Sequence, residues 1–197
     1  MARGAEIIQL FAARASRDDP ALRDVERYWN QLRRDRLTPA RAEVEPRGLG
    51  SALDRAFILE RIAPGLARFR VAGRQLVNAM GIEVSGLPLT VCFQAPERDR
   101  LSDALEQVFA APATLRLSLL SPPGIGRPPF GGQMLILPLH DDLGGRSRAL
   151  GCFVTTGTPG RAPRRFVIKG CVARDVEASA PNPESPTRLP SPEDTPA

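Results

Sequence analysis

Residues 68–89, which read RFRVAGRQLVNAMGIEVSGLPL, carry the signals of a strand, a turn and a short helix in quick succession. Phe69 and Val71 alternate with arginine and alanine, which is the period-two pattern of a strand with one buried face. Gly73 then permits a sharp turn, and Gly81 closes the segment that follows. That segment has apolar residues at helical spacing, namely Leu76, Val77 and Met80. The stretch therefore predicts a strand, a turn and a short helix that packs back onto the strand.

Two longer helices are predicted on either side of this unit. Asp19 followed by Pro20 is a helix-start signal, and the helix is expected to run to about Arg36. Pro96 opens a second helix that ends before Pro112. The residues from 37 to 50 contain two prolines and predict an extended connector.

Apolar runs predict several strands besides the one in the opening stretch. The candidates are residues 56–62, 68–72, 114–119, 134–140, 149–156 and 165–172. A short turn at Pro64 and Gly65 makes the first two strands a hairpin. Pro138 removes a backbone donor from its strand, so we expect an edge position or a bulge there.

The N-terminal helix carries an apolar stripe that has two interpretations. Packing on the domain core is one, and binding a partner is the other. The candidate interaction surface consists of Leu22, Val25, Tyr28, Trp29 and Leu32. On the second interpretation, the stripe also predicts a homodimer joined through this helix.

The two ends of the chain differ in character. Residues 6–14 place Ile7, Leu10 and Phe11 on one side of a helical turn and predict a packing arm, since too few basic residues accompany them for a membrane anchor. Residues 176–197 contain six prolines, no aromatic residue and a net charge of about −3. They cannot bury enough apolar surface to offset the entropy of ordering, so this tail is expected to be disordered.

Composition limits the classes of function. The formal charge is +5, but the arginines are spread over all predicted elements instead of gathering on one stripe, so nucleic-acid binding is a weaker alternative. The three cysteines are odd in number and lack metal-type spacing, which predicts reduced thiols. No segment is apolar enough for a secretory leader or a membrane span, and we expect a cytoplasmic protein.

Several spaced features resemble those of PAS domains, and in particular a bacterial group of stand-alone PAS-like proteins. The features are Tyr28-Trp29 on the first helix, Pro39-Ala40-Arg41 in the connector, Phe57 in the first strand, residues 68–73 (RFRVAG) and residues 81–86 (GIEVSG). The resemblance implies an α+β fold with a five-stranded antiparallel sheet and helices on one face, preceded by the N-terminal helix. It also implies a non-enzymatic sensory or regulatory module that binds other signalling proteins. The expected division is a helical segment at 1–36, a PAS-like domain at 37–175 and the tail at 176–197.

The sequence predicts no catalytic, cofactor-binding or metal-ligating residue. His140 is the only histidine and follows a strand at a turn, a poor position for a haem ligand. Residues 91–94 (VCFQ) only faintly resemble the flavin-binding motif of light-sensing relatives, so a photoreactive Cys92 is not expected. Glu83 is interpreted as a turn-stabilising carboxylate. A small-molecule or cofactor-binding PAS sensor remains the alternative function.

Overall fold

The structure is a computed structural model, and it describes residues 19–141 and 144–177. The predicted packing arm at 6–14 and the predicted disordered tail beyond residue 177 lie outside these residues. Within the described part of the chain, none of the helices has the length and apolar character needed to cross a membrane.

Apart from α2 in the connector, the helices and strands follow one another in the order expected from the sequence. The helices are α1 (Pro20–Arg33), α2 (Pro46–Leu49), α3 (Arg74–Met80) and α4 (Arg98–Ala110). The strands are β1 (Ala56–Ala63), β2 (Leu66–Ala72), β3 (Ala113–Ser121), β4 (Phe130–Leu139), β5 (Arg148–Thr156) and β6 (Val167–Asp175). The connector between α1 and β1 is less extended than predicted, because α2 and short 3₁₀ turns at Arg41–Glu43 and Gly50–Arg55 lie within it.

The strands form one antiparallel sheet in the order β2-β1-β5-β4-β3-β6. The first five strands make up the predicted PAS-like sheet, and β6 adds a sixth strand beside β3. The expectation for Pro138 was wrong, because β4 lies between β5 and β3 without a bulge. The pairing of β4 with β3 ends at Ile136, before Pro138. The N–H that proline lacks is therefore not needed for a hydrogen bond to β3.

Both faces of the sheet are covered. The inner face packs against α3 and α4 in one apolar cluster, as the resemblance implied for these helices. The outer face packs against α1 in a second cluster that includes Leu22, Val25 and Trp29. A strand buried on both sides shows no alternation of apolar and polar residues, which explains the continuous apolar run in β4.

Two neighbouring aromatic residues attach α1 to the sheet and to the connector. The Trp29 side chain is 2% exposed, and its Nε1 donates a 2.8 Å hydrogen bond to the Pro138 carbonyl. The Tyr28 hydroxyl accepts a 2.9 Å hydrogen bond from the Glu45 N–H in the connector. The ring of Tyr28 occupies the position that a Cβ on Gly48 would take, so only glycine permits this approach. The Tyr-Trp pair thus ties α1 to the sheet and to the connector at once.

A β-bulge interrupts β2. Val71 pairs with Ile58 whereas Phe69 pairs with Leu59, so Arg70 is an extra residue on the β2 side. An inserted residue moves everything after it to the opposite face of the sheet. Phe69 points into the inner cluster as predicted, but Val71 lies on the outer face and is 55% exposed. The prediction that these two residues share a buried face was therefore wrong.

A fully buried arginine joins two loops near the end of α3. Arg164 is 0% exposed, and its guanidinium donates hydrogen bonds to the Ser121 hydroxyl (3.0 Å) and carbonyl (3.3 Å) and to the carbonyls of Pro159 (3.0 Å) and Pro128 (2.7 Å). Its backbone N–H donates to the Ala79 carbonyl. The desolvated charge is thus held by oxygen acceptors from several segments.

We expect substitution of Trp29 to loosen α1 from the sheet. Trp29→Ala should lower the free energy of unfolding by about 3–5 kcal/mol, since it leaves a large cavity under the helix. Trp29→Phe should cost about 1–2 kcal/mol, chiefly because the buried Pro138 carbonyl loses its donor. Urea denaturation measures both effects. Gln31→Ala, at an exposed position of the same helix, is the control and should change stability by less than about 0.5 kcal/mol. A Trp29→Ala variant as stable as this control would show that α1 is not anchored as described.

Candidate functional site

Phenylalanine side chains fill the space between the inner face and helices α3 and α4. The buried members, each at most 2% exposed, are Phe57, Phe69, Phe93, Phe109, Phe130, Phe153 and Phe166. Edge-to-face contacts with centroids 5.5 Å apart join Phe57 to Phe69 and Phe153 to Phe166. A Cβ on Gly151 would lie 2.0 Å from the Phe57 ring, so this glycine makes room for it. A planar ligand between sheet and helices would have to displace these rings.

The side chains considered as candidate chemical groups are buried or form hydrogen bonds within the fold. Burial raises the pKa of the Cys92 thiol to about 12, which keeps it protonated and weakly nucleophilic. His140 is half-buried at the end of β4, with its Nδ1 3.2 Å from the Thr38 hydroxyl. Oε1 of Glu83 accepts hydrogen bonds from the N–H groups of Val84 and Ser85, and these bonds lower the pKa of Glu83. This is the geometry of the turn-stabilising carboxylate that was predicted.

Metal-ligating side chains do not converge in the described residues. Within 19–141 and 144–177, no group of three or more histidine, cysteine, aspartate or glutamate residues is placed to hold a metal ion. The three cysteines are free, with Cys92 and Cys152 buried and Cys171 half-buried.

The predicted interaction surface on α1 is turned toward the chain's own sheet. Leu22, Val25 and Trp29 are 1%, 0% and 2% exposed, while Tyr28 and Leu32 are half-buried against the same outer cluster. This placement favours the core-packing interpretation of the stripe. Within the helical segment predicted at 1–36, α1 packs against the outer face of the sheet.

An apolar groove remains open on the outer face beside α1, and we call it the outer groove. Its volume is about 550 Å³. The apolar side chains that line it are Val44, Pro46, Leu49, Leu53, Ala56, Phe57, Ile58, Val71, Ala72, Val77 and Leu150. Charged residues around it are Arg41, Glu45, Asp54, Arg74 and Glu83.

Two large apolar side chains of the outer groove are accessible to solvent. Val71 is 55% exposed because the bulge in β2 turns it to this face, and Leu53 is 46% exposed on the 3₁₀ turn of the connector. Val77 of α3, which was predicted to face the core, is half-buried and lines the groove. The sequence pattern did not reveal this site, since its walls come from four separated segments. No local signal could have found it, because the connector is no more apolar than the rest of the chain.

A charged cluster on the outer face continues β1 beyond the groove. The Glu60 side chain is 15% exposed, and its Oε2 lies 2.7 Å from Nη2 of Arg68 and 3.6 Å from Nη1 of Arg70. Its Oε1 lies 2.7 Å from Nη1 of Arg148. The hydrogen bond from Arg68, reinforced by Arg148 and Arg70, holds the pKa of Glu60 below its ordinary value. One carboxylate thus ties together β1, β2 and β5.

Comparison with known proteins defines the class. A family model described as a PAS domain matches residues 17–154, and the chain belongs to the PAS domain family. No curated protein matches the chain in sequence.

Two solved structures are similar in fold. One is a light-oxygen-voltage domain studied with a flavin analogue, with 20% identity and a TM-score of 0.43 over 56% of this chain and 83% of that chain. The other is the dark structure of the light-oxygen-voltage domain of the blue-light photoreceptor Aureochrome1, with 19% identity and a TM-score of 0.41 over 55% of this chain and 80% of that chain.

The lowered pKa of Glu60 predicts a pH-dependent contribution to stability. A carboxyl group with a depressed pKa in the folded state stabilises the protein above its unfolded-state pKa of about 4.3, and this contribution is lost as the pH falls through the folded-state value. We therefore expect Glu60→Gln to be less stable than the natural chain at pH 7 and to approach it in acid. Chemical denaturation between pH 7 and pH 3 measures the difference. Gln31→Ala, which changes no titratable group, is the control, and a difference for Glu60→Gln that is the same at pH 7 and at pH 3 would contradict the assignment.

Proposed function

We propose that this protein is a non-enzymatic regulatory PAS module that acts in signal transduction by binding other signalling proteins, and that the outer groove is its contact surface. The observation that carries the proposal is the pair of exposed apolar side chains, Leu53 and Val71, above an otherwise apolar groove. Apolar patches that stay exposed and are rimmed by charge are typical of protein interaction sites.

The groove favours one kind of partner segment. Its apolar walls suit the apolar face of an amphipathic helix, which binds a groove through anchors spaced three and four residues apart. Its rim carries Arg41 and Arg74 as well as Glu45 and Asp54, so flanking charges of either sign find a complement. The partner we propose is therefore an amphipathic segment of a second signalling protein.

A non-enzymatic role agrees with the burial and the hydrogen bonding of the side chains that were candidates for catalysis. The thiols of Cys92 and Cys152 are buried, and burial raises the pKa of each to about 12. The Glu83 carboxylate is engaged in its own turn, and the His140 ring is close to Thr38. We further propose a cytoplasmic location, since the three cysteines are free thiols.

A small-molecule sensor is the second candidate, and the size of the groove is the observation that favours it. A volume of about 550 Å³ falls within the range of roughly 300–1,000 Å³ that is usual for small-molecule sites. In that case the ligand would lie on the outer face, because aromatic side chains occupy the inner space.

Site-specific photo-crosslinking tests the proposed contact surface. Benzoylphenylalanine at Leu53 of the full chain should form a discrete adduct with another protein in host cells. The same probe at Ile125, which is 96% exposed but distant in sequence from the groove residues, is the control and should not form it. Val71→Arg should reduce the Leu53 adduct at least fivefold, since it puts a charge into the apolar wall. Equal adducts at both positions, or a yield unchanged by Val71→Arg, would exclude the groove as the contact surface.

The same preparations separate the remaining possibilities. An adduct with twice the mass of the chain identifies a second copy as the occupant, in place of another signalling protein, and light scattering then checks the predicted homodimer. Native mass measurement and an absorption spectrum of the unmodified full chain test the sensor function. A bound mass that Val71→Arg removes would assign a small molecule to the groove.

A further inference from the structure

We infer that the turn at the tip of the loop between β3 and β4 is a membrane-contact site, which inserts Ile125 into the headgroup region of an anionic lipid surface. The residues of this site are not among those that line the outer groove, so the inference does not depend on the proposed function. It is supported by the exposure of one isoleucine, by the hydrogen bonding of the turn that carries it and by the charge of the surrounding loops.

Ile125 is the most exposed large apolar side chain in the described residues. It is 96% exposed, whereas the other exposed side chains of this kind lie between 40% and 55%. Ile125 therefore buries almost no apolar surface in the fold and offers nearly its whole side chain to a contact outside the chain. Single exposed apolar residues are common on protein surfaces. The inference consequently depends on how this isoleucine is held and on what surrounds it.

The turn around Ile125 is closed by two backbone hydrogen bonds. The Gly124 N–H donates to the Arg127 carbonyl (2.8 Å), and the Arg127 N–H donates to the Gly124 carbonyl (2.9 Å). Gly126 follows Ile125 with a φ of +67°, a conformation that favours glycine at this position of a turn. The neighbouring loop supports the turn, because the Arg161 N–H donates a 2.9 Å hydrogen bond to the Gly126 carbonyl. Ile125 is thus carried by hydrogen-bonded backbone, so little backbone entropy remains to be lost when it enters a contact.

The two loops that meet at this turn are basic. Residues 121–130 and 157–166 contain no aspartate or glutamate, and their arginines are Arg127, Arg161, Arg164 and Arg165. Arg161 and Arg165 are exposed, and Arg127 is half-buried. Within the part of the chain that the structure describes, none of the four forms an ion pair with a carboxylate. These loops therefore carry positive charge that is free to attract an anionic group from outside.

Arg164 adds a buried positive charge next to the turn. Its guanidinium donates only to uncharged oxygens, including the Pro128 carbonyl directly after the turn. Desolvation, followed by the nearby charge of Arg127, lowers the pKa of Arg164. Because arginine stays protonated in proteins, the two guanidinium groups repel each other. An anionic group outside the chain offsets this repulsion when it approaches the turn.

An anionic lipid surface fits both the charge and the apolar tip. Basic residues near such a surface are attracted to the negative headgroups, and an exposed apolar side chain is stabilised when it enters the interface. A soluble polyanion such as nucleic acid would pair with the arginines but would leave Ile125 in water. Because one apolar side chain and a few charges are involved, we expect weak and reversible binding. A contact of this strength concentrates the protein at a membrane without fixing it there.

Vesicle flotation of the full chain tests the inference. We expect binding to vesicles of equal parts phosphatidylglycerol and phosphatidylcholine, and no binding to phosphatidylcholine alone. Ile125→Ser and Arg161→Glu should each weaken binding by at least about fivefold. Neither change disturbs the fold, since Ile125 is exposed and Arg161 supports the turn through its backbone N–H. Salt should release the chain between about 0.1 M and about 1 M, because the Debye length falls from about 10 Å to about 3 Å.

Matched substitutions elsewhere in the chain are the controls. Ile62→Ser removes an isoleucine that is 48% exposed near the end of β1, at the opposite end of the sheet from the tip. Arg98→Glu reverses an exposed charge at the start of α4. Both variants should bind as the natural chain does. Equal losses in the control and tip variants, or no binding to the anionic vesicles, would overturn the inference.

A fluorescent probe separates insertion of the tip from attraction by charge alone. An environment-sensitive fluorophore on Ile125→Cys, in a Cys171→Ser background because Cys171 is the half-buried native thiol, should brighten on the anionic vesicles. The same fluorophore on Ile62→Cys should not. If Arg161→Glu abolishes binding while Ile125→Ser binds fully, insertion is overturned and the loops are assigned to a soluble polyanion. Contact with lipid gives no adduct of protein mass, so the Leu53 crosslinking experiment and its Ile125 control test the proposed function separately.

Discussion

Burial of one sheet on both faces is the constraint on which this structure depends. The inner face is closed by α3 and α4, and the outer face is closed in its middle by α1, which Trp29 holds through its ring and its bond to the Pro138 carbonyl. Because α1 lies over β4 and β5, the strip above β1 and β2 is left to the connector. The connector is too short and irregular to seal that strip, and the groove is what remains.

The groove also requires the bulge at Arg70. A regular β2 would have directed Val71 into the inner cluster with Phe69, leaving the outer strip lined by Ala72 instead. The inserted residue reverses this order and turns Val71, which is 55% exposed, toward the strip. Just beyond Val71, Glu60 forms ion pairs with arginines from β2 and β5. One half of the strip is therefore apolar and the other half is charged.

The parts of the fold that could be predicted are those set by local sequence. Asp19 with Pro20 fixed the start of α1, and the left-handed glycine at Gly81 (φ +69°) fixed the end of α3. The features that could not be predicted depend on contacts between distant segments. A bulge leaves no mark in a hydrophobic pattern, and the pattern of α1 is the same whether its stripe meets the chain's own sheet or a partner. The outer groove was missed for the same reason, since its walls meet only in the folded chain.

Arg164 has a consequence for how the molecule opens. Its guanidinium takes acceptors from residues 121–128 and from Pro159, so neither loop can leave without stranding a desolvated cation. The two loops, which are separated by about thirty residues of sheet, should therefore exchange their amide hydrogens as one unit with a common protection factor. Residues 121–128 and Pro159 are in this sense held together by a single buried guanidinium.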